Sequence, residues 1–142
     1  MSYMAETDIF LDSNITVYLL EKDPKRRDLV ASFILNTRFV VSTQVISENV
    51  NVCLRKLKLS KTESFAHGRF LMDTFRMSYI TDTTISLAFQ ISEQYGFAYY
   101  DSLILATALE NECPIIYSED MQHNQTIMDR LTIINPFKEL GI

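Results

Sequence analysis

The sequence predicts an α/β fold in which a central parallel sheet is flanked by helices on both faces. Short runs rich in Ile, Leu and Val alternate with longer stretches of helical periodicity, which is typical of such a fold. The chain has 142 residues and is 47% hydrophobic, enough to bury a sizeable core. Because no linker rich in Pro, Gly or Ser divides it, we expect one domain over residues 1–142.

Five short apolar runs are predicted to form the strands of this sheet. They lie at residues 8–11, 39–42, 79–80, 115–117 and 131–134. Runs of this length that are bounded by polar or turn residues are typical of buried strands. Their alternation with helical segments favours parallel rather than antiparallel pairing, since parallel strands need long crossover connections.

Helices are predicted between these strands, and several of their ends carry capping signals. The segments are 15–20, 25–35, 43 to about 57, 60 to about 77, 83–95 and a helix beginning at Asp101. Asp23 and Pro24 separate the first two, because proline disfavours a helical conformation for its predecessor. Ser60 and Glu63 form a capping-box pattern, and Gly96 suits the left-handed residue that ends a helix.

The composition excludes several common classes of site. The only glycines are Gly68, Gly96 and Gly141, so the chain has neither a G-x-G-x-x-G fingerprint nor a phosphate-binding loop. With two histidines and no G-x-S-x-G elbow, a Ser/His/Asp or Cys/His catalytic group is disfavoured. A phosphatase is disfavoured because the residue two after Asp12 is Asn14 and not a second Asp. The class of site that remains is one built from the carboxylates of Asp and Glu residues.

Charge is divided unevenly along the chain. The net charge is −5, but residues 1–76 contain 11 basic and 9 acidic residues whereas residues 77–142 contain 2 and 9. Any basic surface for a partner is therefore expected in the first half. Cys53 and Cys113 lack metal-ligand spacing and are predicted to be free thiols. No stretch resembles a membrane-spanning helix or a signal peptide, so we expect a cytoplasmic protein.

Four acidic residues stand at the edges of separate apolar segments. They are Asp12, Glu48, Asp101 and Asp120. The separations between them are 36, 53 and 19 residues, which places them on different elements of the sheet and its helices. In an open α/β sheet, ligands bind outside the carboxyl ends of the parallel strands, where acids from different elements can meet. We predict that the four acids form one metal site.

Each of these acids also has a purely structural interpretation. Asp12 and Asp101 could cap the helices that follow them, and Asp120 could be an ordinary turn residue. Glu48 is harder to explain in this way, because apolar residues such as Val45 share its helix face and an unpaired buried carboxylate is costly. The four positions taken together favour a cation-binding site.

The four motifs together resemble those of PIN domains, and more closely those of the VapC-like toxin ribonucleases of bacterial type II toxin–antitoxin systems. The segments that carry the resemblance are FLDSNI, STQVISE, YYDSLILATAL and YSEDM, and they span nearly the whole chain. The resemblance implies a PIN-like three-layer fold and divalent-metal-dependent hydrolysis of RNA phosphodiester bonds. A catalytically inactive PIN-fold interaction module is the alternative, and metal-dependent cleavage separates the two.

The resemblance also implies which residues are catalytic. The metal-binding acids would be Asp12, Glu48, Asp101 and Asp120, with Glu119 as a competitor for the last position. Oxygen-only donors suit Mg²⁺ or Mn²⁺ rather than zinc. We expect Asp12 and Asp101 to bind the ion directly, and the other two acids to bind its waters or orient the nucleophile. Asn14 and Ser118 are predicted to hydrogen-bond to these ligands.

An acidic site must still attract a polyanion, so cations near its rim are expected to contact phosphate. The candidates are Lys22, Lys25, Arg26 and Arg27. The same residues are equally compatible with a solvated helix face. Tyr99 and Tyr100 flank the third acid, where they could stack on an unpaired base or pack in the core.

Two protein partners are implied by the resemblance: a small antitoxin that covers the acidic site, and a second copy of the chain in a homodimer. The predicted helix from residue 60 to about 77 carries Phe65, Phe70 and Phe75. Because this is more aromatic surface than a small core absorbs, part of it is expected to serve these contacts.

Overall fold

The computed structural model describes residues 7–20, 23–34, 38–139 and 141, and its central feature is a six-stranded sheet. The strands are β1 (Asp8–Leu11), β2 (Arg38–Ser42), β3 (Arg76–Ser78), β4 (Ile115–Tyr117), β5 (Thr126–Ile127) and β6 (Leu131–Ile134). Their order across the sheet is β3-β2-β1-β4-β6-β5, and β5 alone among these six runs antiparallel to its neighbour. The predicted α/β fold with a central parallel sheet is confirmed.

Helices connect most of the strands, as parallel pairing requires. They are α1 (Ser13–Thr16), a 3₁₀ turn (Val17–Leu20), α2 (Pro24–Ile34), α3 (Thr43–Arg55), α4 (Lys61–Thr74), α5 (Asp82–Tyr95), α6 (Tyr99–Glu110) and α7 (Pro136–Glu139). Ser60 and Glu63 form the predicted capping box, and Gly96 ends α5 with φ of 82°. Across the described ranges, none of the helices combines the length and apolar character needed to cross a membrane.

The centre of the core lies along β1. Ile9, Phe10 and Leu11 are consecutive and all buried, at 5%, 0% and 1% exposure. Because successive side chains of a strand point to opposite faces, both faces of the sheet must be covered there. Cys53 and Cys113 are buried free thiols, as predicted. A strand covered on both faces leaves its carboxyl end as the accessible place for polar chemistry.

Several predicted boundaries were wrong. The third strand lies at Arg76–Ser78 rather than at residues 79–80, because α4 ends at Thr74 and the chain extends from there. Ser42 rather than Thr43 caps α3, through its side-chain oxygen and the backbone N–H of Val45. The predicted end of the second helix, Leu35, lies outside the described residues.

The hairpin between β5 and β6 was not predicted. Its turn places Met128 and Asp129 at φ of 52° and 55°, a left-handed conformation that favours Gly, Asn and Asp and is unusual for Met. The backbone N–H of Met128 donates to the Tyr95 hydroxyl at 2.9 Å. A tertiary contact therefore accompanies a turn for which the sequence has no local signal.

Candidate active site

The four predicted acids approach one another at the carboxyl ends of the parallel strands. Asp12 directly follows β1, and Asp120 lies three residues beyond the neighbouring strand β4. Glu48 lies in the second turn of α3, and Asp101 is the third residue of α6. Repulsion from Glu48 and Asp101 contributes to a raised pKa of Asp12, and repulsion from Asp120 and Glu48 contributes to a raised pKa of Asp101. The structure therefore brings the four carboxylates into one neighbourhood.

Asp12 is almost fully buried and heavily hydrogen-bonded. Its Oδ1 accepts from the backbone N–H of Ser13 at 2.7 Å, which makes it the N-cap of α1. Its Oδ2 accepts from Ser118 Oγ at 2.9 Å and from Asn14 Nδ2 at 3.4 Å. Asn14 Oδ1 in turn accepts from the backbone N–H of Glu119 at 3.2 Å. Capping and membership of the acidic cluster are thus compatible, and Asn14 and Ser118 orient the Asp12 carboxylate.

Glu48 is held by two neighbours that connect it to the other acids. Ser13 Oγ donates to Glu48 Oε1 at 2.8 Å and lies 3.4 Å from Asp12 Oδ1. Gln44 Nε2 donates to Glu48 Oε2 at 3.2 Å and to the backbone carbonyl of Tyr100 at 3.1 Å. A continuous chain of hydrogen bonds therefore runs from the first acid through the second to the residue that precedes the third.

Sequence reasoning missed Ser13 and Gln44. Gln44 precedes Glu48 by four residues, and side chains at this spacing meet on one helix face, so a helical wheel could have identified it. Ser13 carries no comparable signal, because its contact with Glu48 spans 35 residues of sequence. Only the packing of α3 against the turn after β1 makes that contact.

The electrostatics of Asp12 reflect its burial. Burial raises the pKa of its carboxyl from 3.8 to about 6, although the hydrogen bonds from Ser118 and Ser13 act to lower it. Repulsion from Glu48 and Asp101 is part of this rise, after the larger effect of burial. A buried carboxylate with other carboxylates around it is unfavourable without a compensating cation.

Asp101 has a raised pKa for related reasons. Burial makes the largest contribution, followed by repulsion from Asp120 and from Glu48. The interpretation of Asp101 as a helix cap was wrong, because α6 begins two residues earlier with Ala98 at its N-cap position. A carboxylate in the first helical turn is nevertheless favoured by the helix dipole, which helps to keep this one ionised.

The donor set fits a hard divalent cation that keeps part of its water shell. All the acids present oxygen atoms, which Mg²⁺ and Mn²⁺ prefer. Gln44 Oε1 is buried and has no hydrogen-bond partner among the described residues, so it can accept from a water of such an ion. Within those same residues, no three Asp, Glu, His or Cys side chains are placed to enclose an ion. Because Mg²⁺ commonly binds through one or two carboxylates and several waters, an open arrangement is compatible with it.

Glu119, the competitor for the fourth acidic position, has other partners. Its Oε2 accepts from Arg26 at 2.7 Å and its Oε1 accepts from the Tyr18 hydroxyl at 2.7 Å. Asp120 is exposed instead, and its negative charge repels that of Asp101. Of these two residues, Asp120 is therefore the one whose charge contributes to the raised pKa of Asp101.

A sequence model of the PIN domain family matches residues 9–126. The chain belongs to the PIN domain family. The matched span begins in β1 and ends at the start of β5, so it contains all four acids and the elements that position them. Comparison with functionally curated proteins found no match.

Solved structures of similar fold include several toxins. VapC20 from Mycobacterium tuberculosis, described as a toxin that cleaves the sarcin-ricin loop, has a TM-score of 0.67 at 15% identity, over 79% of this chain and 89% of that one. A toxin–antitoxin complex from Klebsiella pneumoniae has a TM-score of 0.67 at 16% identity, over 90% of this chain and 97% of that one. VapBC2 from Rickettsia felis, bound to DNA from its promoter, has a TM-score of 0.66 at 15% identity, over 91% of this chain and 100% of that one. At these identities the likeness establishes a shared fold.

The cations predicted to contact RNA occupy different environments in this PIN domain. Arg26 is paired with Glu119, and Arg27 lies 3.3 Å from its neighbour Asp28 at a more exposed position. Lys25 is exposed at the start of α2, and Lys22 lies outside the described residues. Arg26 is thus the one candidate among the described three that contacts the loop after β4.

The aromatic residues near this PIN-domain site and on α4 are unequally exposed. Tyr100 is 65% exposed, whereas Tyr99 packs between Tyr100 and Phe89 with ring centroids 5.2 and 5.8 Å away. On α4, Phe65 and Phe70 are 41% and 46% exposed. Phe75, the third aromatic residue of that predicted surface, is buried and packs edge-on against Phe39, so it belongs to the core.

Proposed function

We propose that this PIN-domain protein, acting as one domain over residues 1–142, is a divalent-metal-dependent endoribonuclease that hydrolyses RNA phosphodiester bonds. One observation carries the proposal: near the carboxyl ends of the strands, repulsion from Glu48 and Asp101 contributes to the raised pKa of the buried Asp12, and repulsion from Asp120 and Glu48 contributes to the raised pKa of Asp101. Such a cluster opposes folding unless a cation offsets it, so it is expected to serve a purpose other than stability.

The chain's own residues would divide the chemistry among them. Asp12 and Asp101 would hold Mg²⁺ or Mn²⁺ directly, and Glu48 and Asp120 would accept hydrogen bonds from water and orient the attacking one. A bound divalent ion supplies charge stabilisation at the phosphate and lowers the pKa of a water molecule. Ser118 holds the Asp12 carboxylate in one orientation.

RNA would approach from the side of α2. Lys25 is exposed there and Arg27 is partly exposed, and the acidic site needs such cations nearby to accept a polyanion. The exposed ring of Tyr100, next to Asp101, is available to stack on an unpaired base. These contacts would position the backbone and one base without reading a long sequence.

We further propose that the protein is the toxin of a toxin–antitoxin pair. Two of the similar structures are toxin–antitoxin assemblies, which supports a small antitoxin as partner. Phe65 and Met72 are exposed and lie together beside Ile46 and Val50 of α3, so they offer an apolar surface suited to the antitoxin or to a homodimer; Phe70 and Leu57 are exposed as well. A basic side chain of the antitoxin could satisfy the acids in place of metal.

The first prediction concerns metal dependence. The purified protein is expected to cleave single-stranded or loop RNA in Mg²⁺ or Mn²⁺ and to lose this activity in excess EDTA, because carboxylates alone cannot activate water against an anionic phosphate. Gel assays on end-labelled RNA would measure it, and restoring Mg²⁺ after chelation should restore cleavage. Undiminished cleavage in EDTA would contradict the proposal, and no cleavage under any metal would favour the inactive interaction module.

The second prediction concerns the partner. Expression of the protein alone should arrest growth, and co-expression with a small protein encoded beside it should restore growth and yield a complex that co-purifies. An Asp101→Asn variant should not arrest growth yet should still bind that partner through the apolar surface. Harmless expression of soluble wild-type protein, with no co-purifying partner, would exclude the toxin role and leave a plain nuclease.

A further inference from the structure

A second polar cluster lies beside the candidate active site, and its members come from four separate elements. Tyr18 belongs to the 3₁₀ turn, Arg26 to α2, Glu119 to the loop after β4, and Phe137 to α7. Arg26 donates to Glu119 Oε2 at 2.7 Å and to the Tyr18 hydroxyl at 3.0 Å, and that hydroxyl donates to Glu119 Oε1 at 2.7 Å. We refer to these four residues as the Arg26 cluster.

Aromatic rings confine the guanidinium of this cluster. Its central carbon lies 4.6 Å from the ring centroid of Phe137 and 5.6 Å from that of Tyr18. The two rings pack edge-on, with centroids 4.9 Å apart. A cation placed over aromatic faces and hydrogen-bonded to both a carboxylate and a phenol has few alternative positions. Arg26 is therefore a restrained residue, whereas Arg27 is somewhat more exposed and pairs with its neighbour Asp28.

The loop held by Arg26 carries two residues of the candidate active site. Ser118 donates to Asp12 Oδ2, and repulsion from Asp120 contributes to the raised pKa of Asp101. Glu119 lies between these two residues in the chain, and its side chain attaches the loop to Arg26 and Tyr18. Two hydrogen bonds from backbone N–H groups support the same loop: the N–H of Ser118 donates to the carbonyl of Ile134 at 3.0 Å, and the N–H of Glu119 donates to Asn14 Oδ1 at 3.2 Å.

We propose that Arg26 is a positioning residue of this site: by holding Glu119, it keeps Ser118 and Asp120 in place against Asp12 and Asp101. The proposal rests on the nuclease function proposed above. It differs from the sequence-based expectation for Arg26, which was direct contact with RNA phosphate. An arginine that left Glu119 for phosphate would abandon two hydrogen bonds and would leave the half-buried Glu119 carboxylate with the Tyr18 hydroxyl but without a cation, next to an acidic cluster.

Kinetics of RNA cleavage test the proposal. Arg26→Gln is expected to lower kcat by about 10- to 100-fold while KM changes by less than about 3-fold, because the loop is displaced but RNA contacts remain. Glu119→Gln should have a similar effect, and the double variant should be no worse than either single one, since both remove the same interaction. Arg130 is exposed directly before β6, at the amino end of that strand and so at the opposite end from the site. Arg130→Ala is therefore the control and should behave as wild type.

A second measurement does not depend on cleavage. Hydrogen exchange of the metal-free protein should show the amides of residues 118 and 119 exchanging about 10-fold faster in Arg26→Gln, with the strands β1 and β2 unchanged. Calorimetry with Mn²⁺ should show weaker binding by about 10-fold. Tyr18→Phe keeps the ring and removes only the hydroxyl, so it should fold and change the same quantities by smaller factors.

The outcomes separate the possibilities. A raised KM with unchanged kcat would overturn the proposal and return Arg26 to direct RNA contact. Unchanged exchange at residues 118 and 119, or strictly additive losses in the double variant, would also overturn it. If the wild-type protein cleaves no RNA, the nuclease function fails, whereas exchange and Mn²⁺ binding still decide whether Arg26 holds the loop.

Discussion

Replacing Asp101 with Asn is expected to lower kcat for RNA cleavage by about a thousand-fold or more, since removal of a metal-binding carboxylate forfeits several kcal/mol of transition-state stabilisation. The substitution keeps the shape of the side chain and removes its charge. Because Asp101 has a pKa raised by burial and by repulsion from Asp120 and Glu48, the neutral side chain is not expected to destabilise the fold. Asp12→Asn should abolish activity to the same degree.

Single-turnover cleavage of a labelled RNA in saturating Mg²⁺ would measure the effect. Asp129→Asn is the matched control, because Asp129 is exposed in the β5–β6 turn, where Asn tolerates its φ of 55°. Circular dichroism and a melting curve would show that the variants are folded. Wild-type rates in both Asp101→Asn and Asp12→Asn would mean that the active site has been assigned to the wrong residues.

The stability of the metal-free protein is expected to fall as pH rises from about 4 to about 6, and Asp12→Asn is expected to remove this fall. The folded pKa of Asp12 is raised from 3.8 to about 6, so in this interval the folded chain keeps a proton that the unfolded chain has released. A higher pH therefore favours the unfolded state, and the loss is complete above the folded pKa. At pH 7 the variant should be more stable by at most about 3 kcal/mol.

Urea unfolding in EDTA at several pH values would test this prediction. The stability difference between variant and wild type should be small near pH 4 and largest at neutral pH. Part of the gain is expected to be offset, because the Asn amide nitrogen must face Ser118 Oγ, which now donates to Asp12. Added Mg²⁺ should stabilise the wild type and not the variant. Parallel pH profiles for the two proteins would contradict the raised pKa.

Much of the local structure could be read from the sequence, because local patterns determine it. The capping box of Ser60 and Glu63 and the left-handed Gly96 are short-range signals, and both are present in the structure. Asp12 and Glu48 were identified as candidates because charge at the edge of an apolar run is costly unless it has a partner. The four motifs were sufficient to suggest the PIN family, which the match over residues 9–126 establishes.

Only the tertiary structure decided how these parts meet. Strand order, the contact of Ser13 with Glu48 and the pairing of Arg26 with Glu119 join residues that are far apart in sequence. Such contacts depend on the path of the backbone through the whole sheet, which no local periodicity encodes. For this reason the sequence alone located the acids and left Glu119 and Asp120 as alternatives. The fold gives the two residues different surroundings, because it places an arginine and a tyrosine on Glu119 and leaves Asp120 exposed, where its charge contributes to the raised pKa of Asp101.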